Sequence, residues 1–177
     1  MRSTILKIKL YGADGCHKTN YYKLILDEIA MPYAFLVVEA NEEYAKELRG
    51  LYQNGKLNFP TITIGKKKLR NPYKENIIKW MNKLIPSRID IVHDKENQCF
   101  TLDINGALAK VAYVLKDGKM YLTHSEVPFN LRGHGIGKVL VEKTFEKLTA
   151  EHYTAVAICS YIKAVRNRNE HWNGIIE

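Results

Sequence analysis

Three glycines alternate with other residues in one stretch of the chain, Arg132-Gly133-His134-Gly135-Ile136-Gly137-Lys138. A run with strand character, residues 120–126, precedes this stretch, and an amphipathic segment follows it. Glycine lets the backbone approach a ligand closely and reaches positive φ without a steric penalty. The N–H groups of such a loop and of the first helical turn point together at an anion, and Arg132 adds a positive charge. The stretch therefore predicts a binding site for a phosphate or a pyrophosphate.

The spacing of these glycines excludes two common phosphate-binding motifs. A Walker A loop needs a four-residue spacer and a terminal Gly-Lys-Ser/Thr, and the dinucleotide fingerprint needs G-x-G-x-x-G. The pattern present is Arg-x-x-Gly-x-Gly, formed by Arg132, Gly135 and Gly137. It resembles the acyl-CoA pyrophosphate loop of the GNAT N-acetyltransferase superfamily. A glycine-rich turn that only caps a helix is the alternative interpretation.

Length, composition and charge limit the class of protein. The chain has 177 residues, of which 46% are hydrophobic, and a formal net charge of +8. This length suits one domain or two small ones, and the apolar content excludes wholesale disorder. The positive charge suits CoA, nucleotides, nucleic acid or an acidic protein without choosing among them. No apolar run is long enough for a membrane span, and residues 1–10 lack the features of a secretory signal, so we expect no membrane partner.

The cysteines and the basic run of the first half indicate compartment and partners. Cys16, Cys99 and Cys159 are odd in number and widely spaced. This argues against a disulfide framework and against a zinc or other metal site, and it favours a reducing, cytoplasmic compartment. The lysines at residues 66–68 have no interleaved aromatic residues, so they predict a solvated hairpin edge and no nucleic-acid partner.

The first half of the chain alternates strand and helix patterns in the order β-α-β-α-β-β-α. The predicted strands are residues 5–11, 33–39, 61–64 and 66–70, and the predicted helices are residues 21–29, 42–52 and 72–84. Cys16 lies between the first strand and the first helix. The helix dipole and the free N–H groups at that position favour thiolate over thiol.

This order resembles a thioredoxin fold, and more closely the glutaredoxins, through Cys16-His17-Lys18-Thr19 and Phe59-Pro60-Thr61. The resemblance implies a cis peptide at Pro60, which faces the active-site cysteine in that family. Thr19 replaces the second cysteine of C-x-x-C, which implies a monothiol reaction with a mixed disulfide at Cys16 and a protein thiol partner. Arg70-Asn71-Pro72 replaces the residues that help hold glutathione, which leaves glutathione binding in doubt. An inert thiol is the alternative for Cys16.

A domain boundary is predicted near residues 85–88, where a proline follows the last of these helices and strand patterns begin. We therefore expect two domains, residues 1–86 and 87–177. In the second domain, strands are predicted at residues 89–93, 98–104, 107–115, 120–127 and 154–158, and helices at residues 136–148 and 161–168. Asn105-Gly106 and Asp117-Gly118 predict the hairpin turns.

An antiparallel meander followed by a glycine-rich loop, a helix, a strand and a helix resembles the GNAT core, in the short, YjdJ-like branch of the superfamily. The residues that carry this resemblance are 123–128, 132–137, 159–162 and 171–172. The predicted fold class is therefore α/β (α+β), with a thioredoxin-like fold followed by a minimal GNAT fold. Such a domain lacks the N-terminal helices that build the acceptor pocket in ordinary members.

The resemblance also implies roles for individual residues. Acetyl-CoA would lie with its pyrophosphate on residues 132–138 and its pantetheine amides against the backbone near Val127. Glu126 and His124 are candidate bases that remove a proton from the amine, directly or through water. Cys159 is either an acyl-accepting nucleophile or a wall of the pantetheine channel, and a core thiol is the third interpretation.

Three hypotheses about function remain at this point. The first is an acetyl-CoA-dependent N-acetyltransferase that acts on an unidentified amine and carries a monothiol glutaredoxin-like domain. The second is a thiol-redox protein that uses Cys16 and carries a CoA-binding or CoA-sensing module. The third is a non-catalytic binding protein. The sequence favours the first.

Overall fold

A computed structural model describes residues 6–177, so residue 5 of the first predicted strand lies outside the described residues. The chain divides into two compact units, the first ending at Leu84 and the second comprising Ile85–Glu177. Pro86 belongs to the second unit, where it is buried, begins the 3-10 turn Pro86–Arg88 and packs near a helix of that unit.

The first unit contains one mixed sheet and three helices, in the order predicted from the sequence. Its strands are β1 (Ile8–Gly12), β2 (Ala34–Val37), β3 (Thr61–Ile64) and β4 (Lys67–Arg70), and its helices are α1 (His17–Glu28), α2 (Glu42–Gly50) and α3 (Lys74–Leu84). The sheet order is β2-β1-β3-β4, with β1 parallel to β2 and the other neighbours antiparallel. The Phe59–Pro60 peptide is cis, which confirms that prediction.

Helix α1 begins directly after Cys16, earlier than the predicted start at residue 21. The Asn20 N–H donates to the Cys16 carbonyl at 3.0 Å, which closes the first helical turn. The apolar pattern misses this turn because Thr19 is its only buried side chain. Cys16 is therefore the residue immediately preceding the helix, as expected.

The second unit contains a five-stranded sheet and two helices. Its strands are β5 (Val92–Asp94), β6 (Cys99–Ile104), β7 (Ala107–Lys116), β8 (Lys119–Glu126) and β9 (Thr154–Ala157), and its helices are α4 (Ile136–Ala150) and α5 (Ser160–Arg166). Strands β5 to β8 form an antiparallel meander, and β9 lies parallel to β8 at its edge. The order of elements agrees with the prediction for this half of the chain.

One face of this sheet is covered by α4 and α5. The alternation predicted for β6 is confirmed, since Phe100, Leu102 and Ile104 are fully buried on that face. Phe145 of α4 is also fully buried. Its ring packs edge-on against the Trp172 ring, with 5.2 Å between the ring centroids. These contacts fix α4, and with it the glycine-rich loop at its N-terminus, against the sheet.

The strand predicted at residues 89–93 is shorter and starts later, at Val92. The Ile89 N–H donates to the Pro86 carbonyl at 3.1 Å and closes the 3-10 turn, so this residue is outside the sheet. Ile89 and Ile91 instead pack against the core of the unit. A short apolar run cannot by itself distinguish core packing from strand pairing.

Within residues 6–177, no helix has the length and the apolar character that a membrane crossing requires.

Phe145→Ala should destabilise the second unit by roughly 3–5 kcal/mol, because the substitution leaves a cavity between α4 and the sheet. Leu108→Ala is the control, since Leu108 is 51% exposed and should change stability little. Urea unfolding followed by Trp172 fluorescence in a Trp80→Phe background, which removes the other of the two tryptophans, measures the effect. Equal losses in the two variants would contradict the assignment of Phe145 to the core.

Candidate functional site

Strands β8 and β9 pair over only part of their length. Their register runs from Lys119–Thr154 to Leu122–Ala157. The Leu122 carbonyl then accepts both the Ile158 N–H at 3.0 Å and the Cys159 N–H at 3.1 Å, and the chain turns into α5. Residues 123–126 of β8 continue alongside β7 but diverge from the chain that follows β9. A gap therefore opens in the sheet between the end of β8 and the start of α5.

A bulge in β8 determines which side chains face this gap. Opposite β7, Ala112 pairs with His124 and Tyr113 pairs with Leu122, so Thr123 is an extra residue. Such a bulge reverses the alternation of the strand beyond it. Ser125 pairs with buried Val111 and so lies on the helix-covered face. Without the extra residue, the side chains of His124 and Glu126 would lie on that face instead.

The glycine-rich loop opens α4 as the sequence predicts. Gly135 precedes the helix with a φ angle of 73°, in the left-handed region that glycine adopts freely. It has no side chain that could cap the first turn of the helix. The first N–H groups of α4 therefore face outward without an intrahelical partner. Arg132 donates from Nε to the Val127 carbonyl at 3.2 Å, which ties the loop to the end of β8.

A cavity of about 610 Å³ connects the loop to the gap between the strands. Its volume lies in the range of small-molecule sites. Its lining consists of the end of β8, the loop and the start of α5: His124, Ser125, Glu126, Val127, Leu131, Arg132, Gly133, Gly135, Ile136, Gly137, Cys159, Ser160 and Tyr161.

Two of the predicted loop residues are not part of this lining. His134 lies between the two glycines of the loop but outside the cavity wall. Lys138 pairs with Glu142 at 3.6 Å, one helical turn further along α4. The remaining residues predicted for this half of the chain come together at the cavity.

Ser125 and Tyr161 also line the cavity, although no sequence pattern marks them as site residues. Tyr161 approaches the first turn of α4 so closely that a Cβ atom on Gly137 would lie 2.9 Å from its hydroxyl oxygen. Gly137 thus leaves room for the Tyr161 ring beside the first turn of α4, and a larger residue would have to displace that ring. The signal that could have identified Tyr161 is its position two residues after Cys159. Both residues lie where the chain leaves β9 and begins α5, so they reach the same edge of the sheet.

Cys159 directly precedes α5 and is partly accessible. Burial acts to raise the pKa of its thiol. Hydrogen bonds from the Ile162 N–H, the Ser125 hydroxyl and further N–H groups nevertheless lower this pKa below its ordinary value. The Ser125 Oγ lies 3.7 Å from the Cys159 Sγ. The cavity therefore contains a thiol that ionises more readily than a free cysteine.

His124 and Glu126 lie on the other face of β8 from Ser125. Their cross-strand partners are Ala112 and Lys110, and the Lys110 Nζ lies 3.3 Å from the Glu126 carboxylate. Both charged side chains are about half exposed. The candidate bases and the candidate thiol thus reach the gap from opposite faces of the sheet.

The thiol of the first unit has a different environment. The Thr19 N–H, the Thr19 hydroxyl and the Lys18 N–H hold the pKa of the Cys16 thiol below its ordinary value. Thr19 is fully buried, and its hydroxyl also accepts the Ala13 N–H at 3.3 Å. A Cβ atom on Gly12 would lie 2.4 Å from the Thr19 side chain, so Gly12 makes room for this arrangement. Thr19 therefore supports the Cys16 thiolate.

Pro60 and Thr61 are buried at the start of β3. The Thr61 hydroxyl lies 2.7 Å from the Tyr52 hydroxyl and also donates to the Asn58 carbonyl. Its hydrogen bonds are thus made to the segment between α2 and β3. Cys99, the remaining cysteine, is buried in β6, and burial raises the pKa of its thiol.

The alkylation rates of the three cysteines should separate with pH, because iodoacetamide reacts with the thiolate. Cys16 and Cys159 should react at lower pH than an ordinary thiol, and Cys99 at higher pH. Thr19→Val removes a donor from Cys16 and should move only its profile to higher pH, whereas Ser125→Ala should move only the profile of Cys159. Mass spectrometry of the three peptides measures the rates, and each variant is the control for the other. A shift of both profiles in either variant would contradict these contacts.

The sequence of the second unit matches a described family. Residues 99–175 match the family model for GCN5-related N-acetyl-transferase. Protein NATD1 of Danio rerio is 31% identical over 90 residues, which cover 49% of this chain and 82% of that protein. The matched residues include the glycine-rich loop, the diverging strands and the start of α5. Through its second unit, the chain belongs to the GCN5-related N-acetyltransferase family.

Proposed function

We propose that the second unit is an acetyl-CoA-dependent N-acetyltransferase that acts on an amine. Members of the family generally use acetyl-CoA. The observation that carries the proposal is the single cavity of about 610 Å³ that joins the glycine-rich loop to the gap beside Cys159. Acetyl-CoA has an anionic pyrophosphate at one end and a thioester at the other, and the two ends of the cavity match these groups in chemistry.

The loop end of the cavity suits a pyrophosphate. Gly133 and Gly135 have φ angles of 80° and 73°, and a Cβ atom on either would meet no neighbour within 4 Å. Their open backbone, together with the N–H groups of the first turn of α4, forms a donor set for phosphate oxygens. Arg132 lines the same end and supplies a positive charge.

The other end of the cavity suits the pantetheine arm. Beyond Leu122, β8 has β7 as its partner on one side and the gap on the other. An amide chain inserted into the gap would pair with the backbone near Val127 in the manner of a strand. The acyl group would then lie near Ser125 and Cys159. We assign Cys159 to contact with the acyl donor, in preference to a role as acyl-accepting nucleophile.

Acyl transfer to an amine requires a group that removes the amine proton. His124 and Glu126 lie on the face of β8 opposite to Ser125, where an amine can approach the gap from outside the helix-covered core. Either side chain accepts this proton directly or through water. Lys110 holds the Glu126 carboxylate in place at 3.3 Å. Acetyl-CoA supplies the activated acyl group.

Gly135→Asp should weaken acetyl-CoA binding by about 100-fold or more, since like-charge juxtaposition costs several kcal/mol. The introduced carboxylate would also compete with the phosphate for the N–H donors of α4. Gly106→Asp is the matched control, because Gly106 likewise has positive φ, 83°, and open space around it, but lies in a hairpin away from the cavity. Isothermal titration calorimetry measures binding. Undetectable binding in the parent protein would refute the acetyltransferase assignment.

We also propose that the first unit is a glutaredoxin-like domain of thioredoxin fold with monothiol activity. The sheet order β2-β1-β3-β4 and the position of Cys16 before α1 support this proposal. The specific observation in its favour is Thr19, which stands where a dithiol enzyme has its resolving cysteine and whose backbone N–H and hydroxyl lower the pKa of the Cys16 thiol. The Cys16 thiolate would attack a disulfide and release one thiolate, and a second external thiol would then reduce the mixed disulfide.

Cys16→Ser should abolish the thiol-dependent reduction of hydroxyethyl disulfide by the full chain, because it removes the attacking thiolate. Cys99→Ser is the control, since Cys99 is buried and its thiol pKa is raised. Acetyl-CoA binding should be unchanged in both variants. Reduction at the rate of the parent protein after loss of Cys16 would refute the redox assignment of the first unit.

A further inference from the structure

One reactive side chain shares the cavity with the proposed position of the acyl donor. Cys159 lines the cavity together with Ser125 and the glycine-rich loop. The Cys159 thiol is partly accessible, and its Sγ is 3.7 Å from the Ser125 Oγ. Neither Cys16 nor Cys99 contributes to this lining. The three thiols therefore differ in whether a ligand of the cavity can reach them.

The product of acetyl transfer is itself a thiol. On the proposed function, on which this inference rests, CoA lies with its phosphates at the loop and its sulfur in the gap between β8 and α5. The cavity is continuous between Arg132 and Cys159. A CoA molecule whose phosphates are held at the loop would thus place its sulfur beside Cys159, the only cysteine among the lining residues.

We infer that Cys159 is a modification site that forms a mixed disulfide with coenzyme A. The Cys159 thiol first loses its proton to solvent, and the thiolate attacks one sulfur of CoA disulfide. The bond between Cys159 and that CoA forms while the original S–S bond breaks, and the second CoA leaves as a thiolate that takes a proton from water. CoA disulfide is the oxidant and Cys159 is oxidised, so no further reagent is required.

The surroundings of Cys159 favour the attacking thiolate. Burial acts to raise the pKa of the Cys159 thiol, but the Ile162 N–H, the Ser125 hydroxyl and the Tyr161 N–H together lower it below its ordinary value. The bulge at Thr123 is what turns the Ser125 side chain toward this sulfur. The reactivity of Cys159 and the shape of the cavity thus have a common structural origin.

The adduct would inhibit the proposed transferase reversibly. A CoA joined to Cys159 occupies the cavity that acetyl-CoA needs, and reduction by a free thiol restores it. The ratio of CoA disulfide to CoA would then control the activity of the second unit.

The test compares two disulfides on the full chain, with mass spectrometry reporting each cysteine separately. CoA disulfide carries the nucleotide that the loop would bind, whereas cystamine does not. CoA disulfide should favour Cys159 over Cys16 by about tenfold or more relative to cystamine, because a bound reagent reacts at the effective concentration of a tethered group. Saturating acetyl-CoA, which has no free thiol, should protect Cys159 and not Cys16.

Two variants sharpen the comparison. Gly135→Asp should remove the preference of CoA disulfide for Cys159, while Gly106→Asp should keep the preference. An equal ratio of Cys159 to Cys16 labelling with the two disulfides would overturn the inference, as would a preference that survives in Gly135→Asp.

Calorimetry on the same protein separates this inference from the proposed function. Absent acetyl-CoA binding refutes the proposed function. Acetyl-CoA binding without a preferential adduct at Cys159 refutes the modification site alone. Adduct formation that eliminates acetyl-CoA binding, with recovery after dithiothreitol, supports both.

Discussion

The extra residue in β8, Thr123, is the constraint on which the second unit depends. Strand β8 pairs with β7 on both sides of the bulge. The side chains beyond the bulge therefore alternate between the two faces in the opposite sense to those before it. Leu122 remains in the core before the bulge, and Ser125 reaches the same face three residues later. The Leu122 carbonyl also accepts the N–H groups of Ile158 and Cys159, the two residues that follow β9, so the divergence of the strands starts where the bulge does.

The two units use the same physical device around a thiol. Cys16 and Cys159 each precede a helix, and N–H groups of the first helical turn together with one side-chain hydroxyl lower the pKa of each thiol against the effect of burial. The difference lies in what else is nearby. Thr19 is fully buried and keeps the hydroxyl of the first unit in a fixed position, whereas Ser125 belongs to a strand that also forms the wall of a cavity. The first arrangement suits exchange with an external disulfide, and the second suits reaction with a bound one.

Local signals predict the order of the elements in both units and the position of the glycine-rich loop before α4. The glycine-rich loop, the Asn105-Gly106 hairpin and the order of elements depend on the turn chemistry and the periodicity of short segments. Nonlocal features were not predicted. Strand register is set by the partner strand, so the bulge at Thr123 and the inward direction of Ser125 have no signature in β8 itself. The contact between Gly137 and Tyr161 likewise joins two helices, and Gly137 was interpreted only as part of the phosphate loop.

The opposite placement of the thiol and the candidate bases has a consequence for mechanism. If Cys159 accepted the acyl group, the amine would have to reach an acyl-cysteine on the helix-covered side of the gap, whereas His124 and Glu126 approach the gap from the other face of β8. Direct transfer requires only that the amine enter from the outer face, where both candidate bases and Lys110 lie. We therefore propose direct transfer, in which Cys159 takes no part in the chemical step. A thiol with a lowered pKa that the reaction does not consume remains available for exchange with the sulfur of CoA, which is why we assign it to regulation.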